Sequence, residues 1–265
     1  MSDFNSGFGR SASQGVRTGG PRGGGGATTD MAVDAGLRSF MLGVYHQMAL
    51  GLVLSGVLAY LTSAYPPIRD QLYIVTPEGR LAGFTLLGTI IRFAPLVMIF
   101  GSMFAMRNPT ARSSGILYWA LVSTIGAGLG VWLLAYTGMS VATTFFIAAA
   151  AFGGLSLVGY TTKRDLTGMG SFLIMAMWGL LIASLVSYFF PMGGNRTFQL
   201  IFSVLGTLIF AGLTAYDTQR LKNTYYALAG DGEGMAVATN YGALSLYINF
   251  INLFQFLLTI FGGRR

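Results

Sequence analysis

The chain has 265 residues, 53% hydrophobic and 14% aromatic but only 9% charged, and its mean hydropathy is +0.62. An ordinary soluble domain carries about 25% charged residues, so a single water-soluble globule is excluded. The net charge of +7 invites a nucleic-acid reading, but the charges sit in the gaps between apolar runs, and no nucleic-acid partner is expected.

Residues 1–30 hold nine glycines together with Ser2, Ser6, Ser11 and Ser13. Such a segment buries too little surface to offset its ordering entropy, so residues 1–38 are expected to form a disordered Gly/Ser/Arg-rich cytoplasmic tail. The first apolar run begins only near Phe40, too late for a cleaved signal peptide, and should stay as an anchor.

Beyond Arg38, no Asp, Glu, Lys or Arg occurs in Ser39–Ile68, Ser113–Thr162, Leu166–Asn195, Thr197–Tyr216 or Gly234–Gly263. A spanning helix needs about 20 apolar residues, so Ser113–Thr162 must hold two, broken at Tyr136–Ser140. Phe84–Met106, interrupted by Arg92 and Pro95, supplies a further one. The pattern predicts seven transmembrane helices, near residues 40–64, 87–106, 114–136, 141–160, 169–190, 197–217 and 241–261. Residues 39–265 are therefore one all-α polytopic membrane domain. With the N-terminus inside, ten Lys and Arg fall on the cytoplasmic side and six on the other, as the positive-inside rule favours. Seven crossings then leave Arg264 and Arg265 outside. A seventh segment that dips in and returns is the alternative.

Groups able to do chemistry are scarce. With no cysteine there is no disulfide or thiolate metal site, and the one histidine, His46, lies in the first span. A lone membrane histidine more often bonds a neighbouring helix than catalyses. Lys163 and Lys222 are the only lysines and fall at loops, so a retinal Schiff base has no place. No serine sits in a Gly-x-Ser-x-Gly setting. Neither enzymatic activity, nor a cofactor, nor a resident metal is expected.

What remains is Asp217, ending an apolar run of twenty residues, and a stripe on the last helix. Ionisable residues at membrane depth are costly to bury and mark functional sites; the plainer reading is an interfacial carboxylate paired with Arg220 or Lys222. Ser245, Asn249, Asn252 and Gln255 follow steps of four, three and three along one helix face. That face should meet either a partner helix or a watery path. The turn around Lys163, Arg164 and Asp165 reads as a topogenic loop whose Asp165 caps the next helix.

Three stretches, GYTTKRDLTGMGSF (159–172), IFAGLTAYDTQRLK (209–222) and ALSLYINFINLFQFLL (243–258), resemble the Bax inhibitor-1 family of seven-helix membrane proteins. The resemblance runs from about Val44 to Arg265. It implies six helices around a central seventh, and a calcium leak through the bundle that responds to pH. Members are also linked to suppression of cell death, and some bacterial ones to modulation of a membrane-bound ATP-dependent protease. The family's sensor is a pair of aspartates, on the sixth and seventh helices, with a second-helix arginine as latch. By context Asp217 matches the first aspartate and Arg107 the arginine. The second aspartate is replaced: Leu246-Tyr247-Ile248-Asn249-Phe250-Ile251-Asn252 carries Asn249, which cannot ionise. The implied reading is a calcium-permeable leak with altered pH sensing through Asp217, Ser245, Asn249 and Asn252. The alternative is a non-conducting regulator of another membrane protein, such as that protease. A bacterial inner membrane is the expected location.

Overall fold

The computed structural model describes residues 25–77, 81–189, 196–228 and 230–264. The helices in chain order are α1 (Gly25–Ala64), α2 (Pro66–Leu72), α3 (Leu86–Ala105), α4 (Ala111–Ala135), α5 (Gly138–Thr161), α6 (Thr167–Phe189), α7 (Arg196–Ala227) and α8 (Gly232–Phe261). Strands β1 (Tyr73–Val75) and β2 (Leu81–Phe84) form a short antiparallel hairpin between α2 and α3. Among the described residues, seven helices are long and apolar enough to cross a bilayer, α2 being the exception. The seven predicted spans are all present.

Their ends obey local chemistry. Thr85, Thr110 and Thr137 each accept a hydrogen bond from the backbone N–H three residues on, so α3, α4 and α5 start where a threonine side chain can satisfy an orphan donor. Asp231 does the same for Gly234 at α8, just after Gly230 turns the chain with φ +93°. Three boundaries differ from the sequence reading. α1 starts at Gly25, so residues 25–38 of the expected tail are helical, while 1–24 lie outside the described residues. α7 runs ten residues past Asp217, and α8 starts nine residues before Tyr241. At 1.5 Å per residue, α7 and α8 are about 45–48 Å long against a hydrocarbon core of about 30 Å, so both extend into the interface.

In lipid, helices gain little from apolar burial against one another, so close approach of small residues sets the packing. A Cβ on Gly126 of α4 would lie 2.6 Å from the Cα of Ser55, which brings α1 and α4 backbone to backbone. α8 occupies the centre: 56% of its apolar stretch is buried, against at most 33% in any other span. Tyr247 of α8 is fully buried, its hydroxyl 2.6 Å from Ser55 Oγ and its ring edge-on to Tyr118 of α4. Phe250 and Phe254 pack edge-on to Phe145 of α5. α3 and α6, with 6% and 11% buried, stand on the outside. The β1–β2 hairpin, unforeseen in the sequence, anchors Tyr73 in a second apolar cluster with Leu72 and Leu134. The Tyr73 hydroxyl donates to Ala127 O at 3.0 Å, and burial pushes its phenol above the usual range.

Both ends of α8 are fixed at opposite ends of α4. Glu233 accepts from Ala111 N at 2.7 Å, and Asn240 donates to Ala111 O at 3.0 Å. At the far end Tyr136 bridges to Arg264, and Thr137 N donates to Gly263 O at 3.1 Å. α8 therefore runs alongside α4 for its whole length rather than dipping in and returning. A topology reporter in the 228–231 turn and one fused after Arg265 should report opposite sides of the membrane. With the N-terminus inside, the turn reporter is the cytoplasmic one.

Candidate functional site: a shared carboxylate between α7 and α8

Asp217 is buried, with only 8% of its side chain exposed, on the face of α7 that meets α8. Ser245 and Asn249 sit one turn apart on α8, so both side chains reach the same carboxylate. Asn249 Nδ2 donates to Asp217 Oδ2 at 2.7 Å, and the Ser245 hydroxyl donates to that same oxygen. The other oxygen, Oδ1, is 3.0 Å from a guanidinium nitrogen of Arg220, three residues on along α7. That nitrogen also donates to Ser245 Oγ at 3.3 Å, and the guanidinium carbon lies 5.7 Å from the centre of the Tyr216 ring. A single carboxylate thus joins two helices through an amide, a hydroxyl and a guanidinium, with the charges balanced.

The cluster lies close to one end of the bundle. Gln219, two residues beyond Asp217, clasps the α5–α6 turn: its Nε2 donates to Arg164 O and its Oε1 accepts from Leu166 N, both at 2.8 Å. Lys222 Nζ donates to Tyr160 O at 3.2 Å. In that turn Asp165 accepts from the Thr167 backbone N–H and hydroxyl, which hold its carboxyl below the usual carboxylate range. Thr218 is fully buried on the neighbouring face and shares a hydrogen bond of 2.9 Å with Ser156 of α5. Asp217 therefore sits beside the α5–α6 turn, about one helical turn away along α7.

Of the five residues singled out for an ion path, the structure brings three together: Asp217, Ser245 and Asn249. Asn252 instead turns its amide back to Ile248 O of its own helix, at 2.9 Å. Arg107 lies exposed in the α3–α4 turn and does not reach Asp217, whose arginine is Arg220. The i,i+3 spacing carried that signal. His46 faces outward on α1. Among the described residues, no three His, Asp or Glu side chains converge on a common point, so tight calcium coordination, which uses several carboxylates, has no ready-made cage.

Sequence comparison fits this architecture. The family model described as inhibitor of apoptosis-promoting Bax1 matches residues 37–265. An uncharacterised protein of Caulobacter vibrioides is 58% identical over 265 residues, covering both chains fully. Inner membrane protein YbhL of Escherichia coli K12 is 36% identical over 232 residues, 87% of this chain and 94% of that one. An uncharacterised membrane protein of Streptococcus pyogenes is 35% identical over 230 residues, 86% and 94% of the two chains. Seven apolar spans and such relatives make this a multi-pass protein of the bacterial inner membrane. The chain belongs to the Bax inhibitor-1 family.

Proposed function

We propose that the protein is a calcium-permeable leak pathway, held closed in this state at the Asp217 cluster. The observation that carries the reading is the buried carboxylate shared between α7 and the central helix α8. Water and ions moving along α8 meet a charged group there, and that group can change partners without rebuilding either helix. With one carboxylate and two neutral side chains, the site suits weak, transient contact with calcium as cargo rather than storage. Asn249 donates its amide to Asp217 and cannot itself ionise, so an aspartate–asparagine pair stands where the family has two aspartates. The second reading, a non-conducting regulator of another membrane protein such as a membrane-bound ATP-dependent protease, draws on the complete satisfaction of Asp217 by its own chain.

Reconstitution of the purified full-length chain into liposomes loaded with a calcium indicator tests the choice. Calcium entry above that of empty liposomes is expected, with a changed rate in Asp217→Asn. The substitution should fold, because Arg220 is 46% exposed and can turn to water. Entry no faster than in empty liposomes would favour the regulator.

A further inference from the structure

α1 carries the same spacing on two opposite faces. The inward face, through Val44, Met48, Gly51 and Ser55, is buried in the bundle. On the outward face Leu42, His46, Ala49, Val53, Gly56 and Tyr60 follow steps of four, three, four, three and four, and every one of them is exposed. A repeat of 3.5 residues keeps one stripe against one partner helix along its length, as in a left-handed coiled-coil seam. From Leu42 to Tyr60 the stripe rises about 27 Å, close to the roughly 30 Å of the hydrocarbon core.

Spacing alone would also describe a surface that faces lipid, but His46 does not suit lipid. It lies seven residues, about 10 Å, beyond Ser39, where the uncharged run begins. Among the described residues, His46 makes no hydrogen bond, ion pair or ring contact. A neutral imidazole has one N–H donor and one bare nitrogen acceptor, and leaving both in hydrocarbon is costly. Copies inserted in one membrane orientation present α1 in parallel, so at a two-fold seam each residue faces itself. One imidazole can then donate to the other, a match that neither an apolar helix nor an acyl chain offers. Ala49 and Gly56 let the two backbones approach on the same stripe, and a Cβ on Gly56 would meet only open space within its own chain.

We propose that the outward face of α1 is a homodimer interface, the Leu42–Tyr60 stripe of one copy packing against the same stripe of a second, with a hydrogen bond between the two copies of His46. A single polar residue on such a seam fixes register, because any slip leaves it facing an apolar side chain. Such a dimer needs no conduction, so it stands or falls separately from the leak.

The chain has no cysteine, so single introduced cysteines read the interface directly. With the full-length protein in liposomes treated with copper phenanthroline, Ala49→Cys, Val53→Cys and Gly56→Cys should each give covalent dimers. Val97→Cys, on the exposed side of α3, should not. Fluorescently labelled copies, counted by photobleaching over a range of protein-to-lipid ratios, give the dimer affinity. His46→Leu should weaken it about tenfold, the effect of one lost interhelical hydrogen bond in a membrane. That variant should fold, since the imidazole makes no bond within its own chain. His46→Asn, whose amide keeps both a donor and an acceptor, should retain the affinity. Monomers at every ratio overturn the homodimer, as do cross-links as strong through Val97→Cys as through Val53→Cys, or a dimer indifferent to His46→Leu. A chain that is monomeric when pure but cross-links through Val53→Cys to another protein in whole membranes also overturns it, and gives the stripe to that protein.

Discussion

Asn249→Asp should make the Asp217 cluster strongly pH-sensitive. Asn249 now donates to Asp217 Oδ2, and an ionised aspartate in its place has nothing to donate. The groups facing the pair are Ser245 and Arg220, a single positive charge for two carboxylates. Leaving a buried charge uncompensated costs about 3–5 kcal/mol, so the variant will hold a shared proton. A carboxyl whose affinity for protons is higher in the folded than in the unfolded state adds stability at low pH. That stability is lost as pH rises and the pair is forced to carry two charges beside a single guanidinium. The unfolding midpoint of Asn249→Asp should therefore fall steeply relative to wild type between about pH 5 and 8 and recover on acidification. Flux in liposomes should acquire a pH-dependent step between about pH 6 and 8 beyond any that wild type shows. A wild type with a steep step that persists in Asp217→Asn would place the sensor elsewhere.

Gly159→Val should abolish folded protein. Gly159 of α5 faces the backbone of Ala215, two residues before Asp217; an added Cβ would come within 2.9 Å of its Cα and closer still to its carbonyl oxygen. Backbone cannot yield as a side-chain tip can. Replacing a helical glycine normally gains up to about 1 kcal/mol in propensity over a soluble-helix scale, less for a β-branched residue. Overpacking costs about 1–3 kcal/mol or more, and here it separates two helices along their length. The measurement is recovery of a monodisperse peak on size exclusion after detergent extraction. Gly153→Val, on the same helix but with open space around it, should be recovered normally.

These effects trace back to features that differ in how far the sequence discloses them. The seven spans were legible because lipid forces charges to the ends of helices, so gaps between Lys, Arg, Asp and Glu mark the turns. The same logic misplaced the end of α7. Asp217, Gln219, Arg220 and Lys222 look like the start of a loop, yet the helix carries on because each of them finds a partner in α5, α8 or the α5–α6 turn. The hairpin was invisible because strands of three and four residues carry too few positions for an alternating pattern. At the site, spacing on α8 was enough to put Ser245 and Asn249 on one face. It was not enough to tell that Asn252, on that face too, would bond its own backbone. Arg220 was legible from its spacing as a plain ion-pair partner, while Arg107 drew attention only through family context.

The central place of α8 has a consequence for how the protein is made. α8 is the last of the helices to be synthesised. At about 5–20 residues per second, α1 waits on the order of ten seconds or more for the helix it must enclose. During that time Ser55 of α1 lacks Tyr247, and Asp217 of α7, made only about 30 residues earlier, waits a few seconds for Ser245 and Asn249. The half-made bundle leaves these polar groups without the α8 side chains they bond in the finished protein. Insertion of α8 supplies these partners, so a chain truncated before residue 232 is expected to leave Ser55 and Asp217 without them.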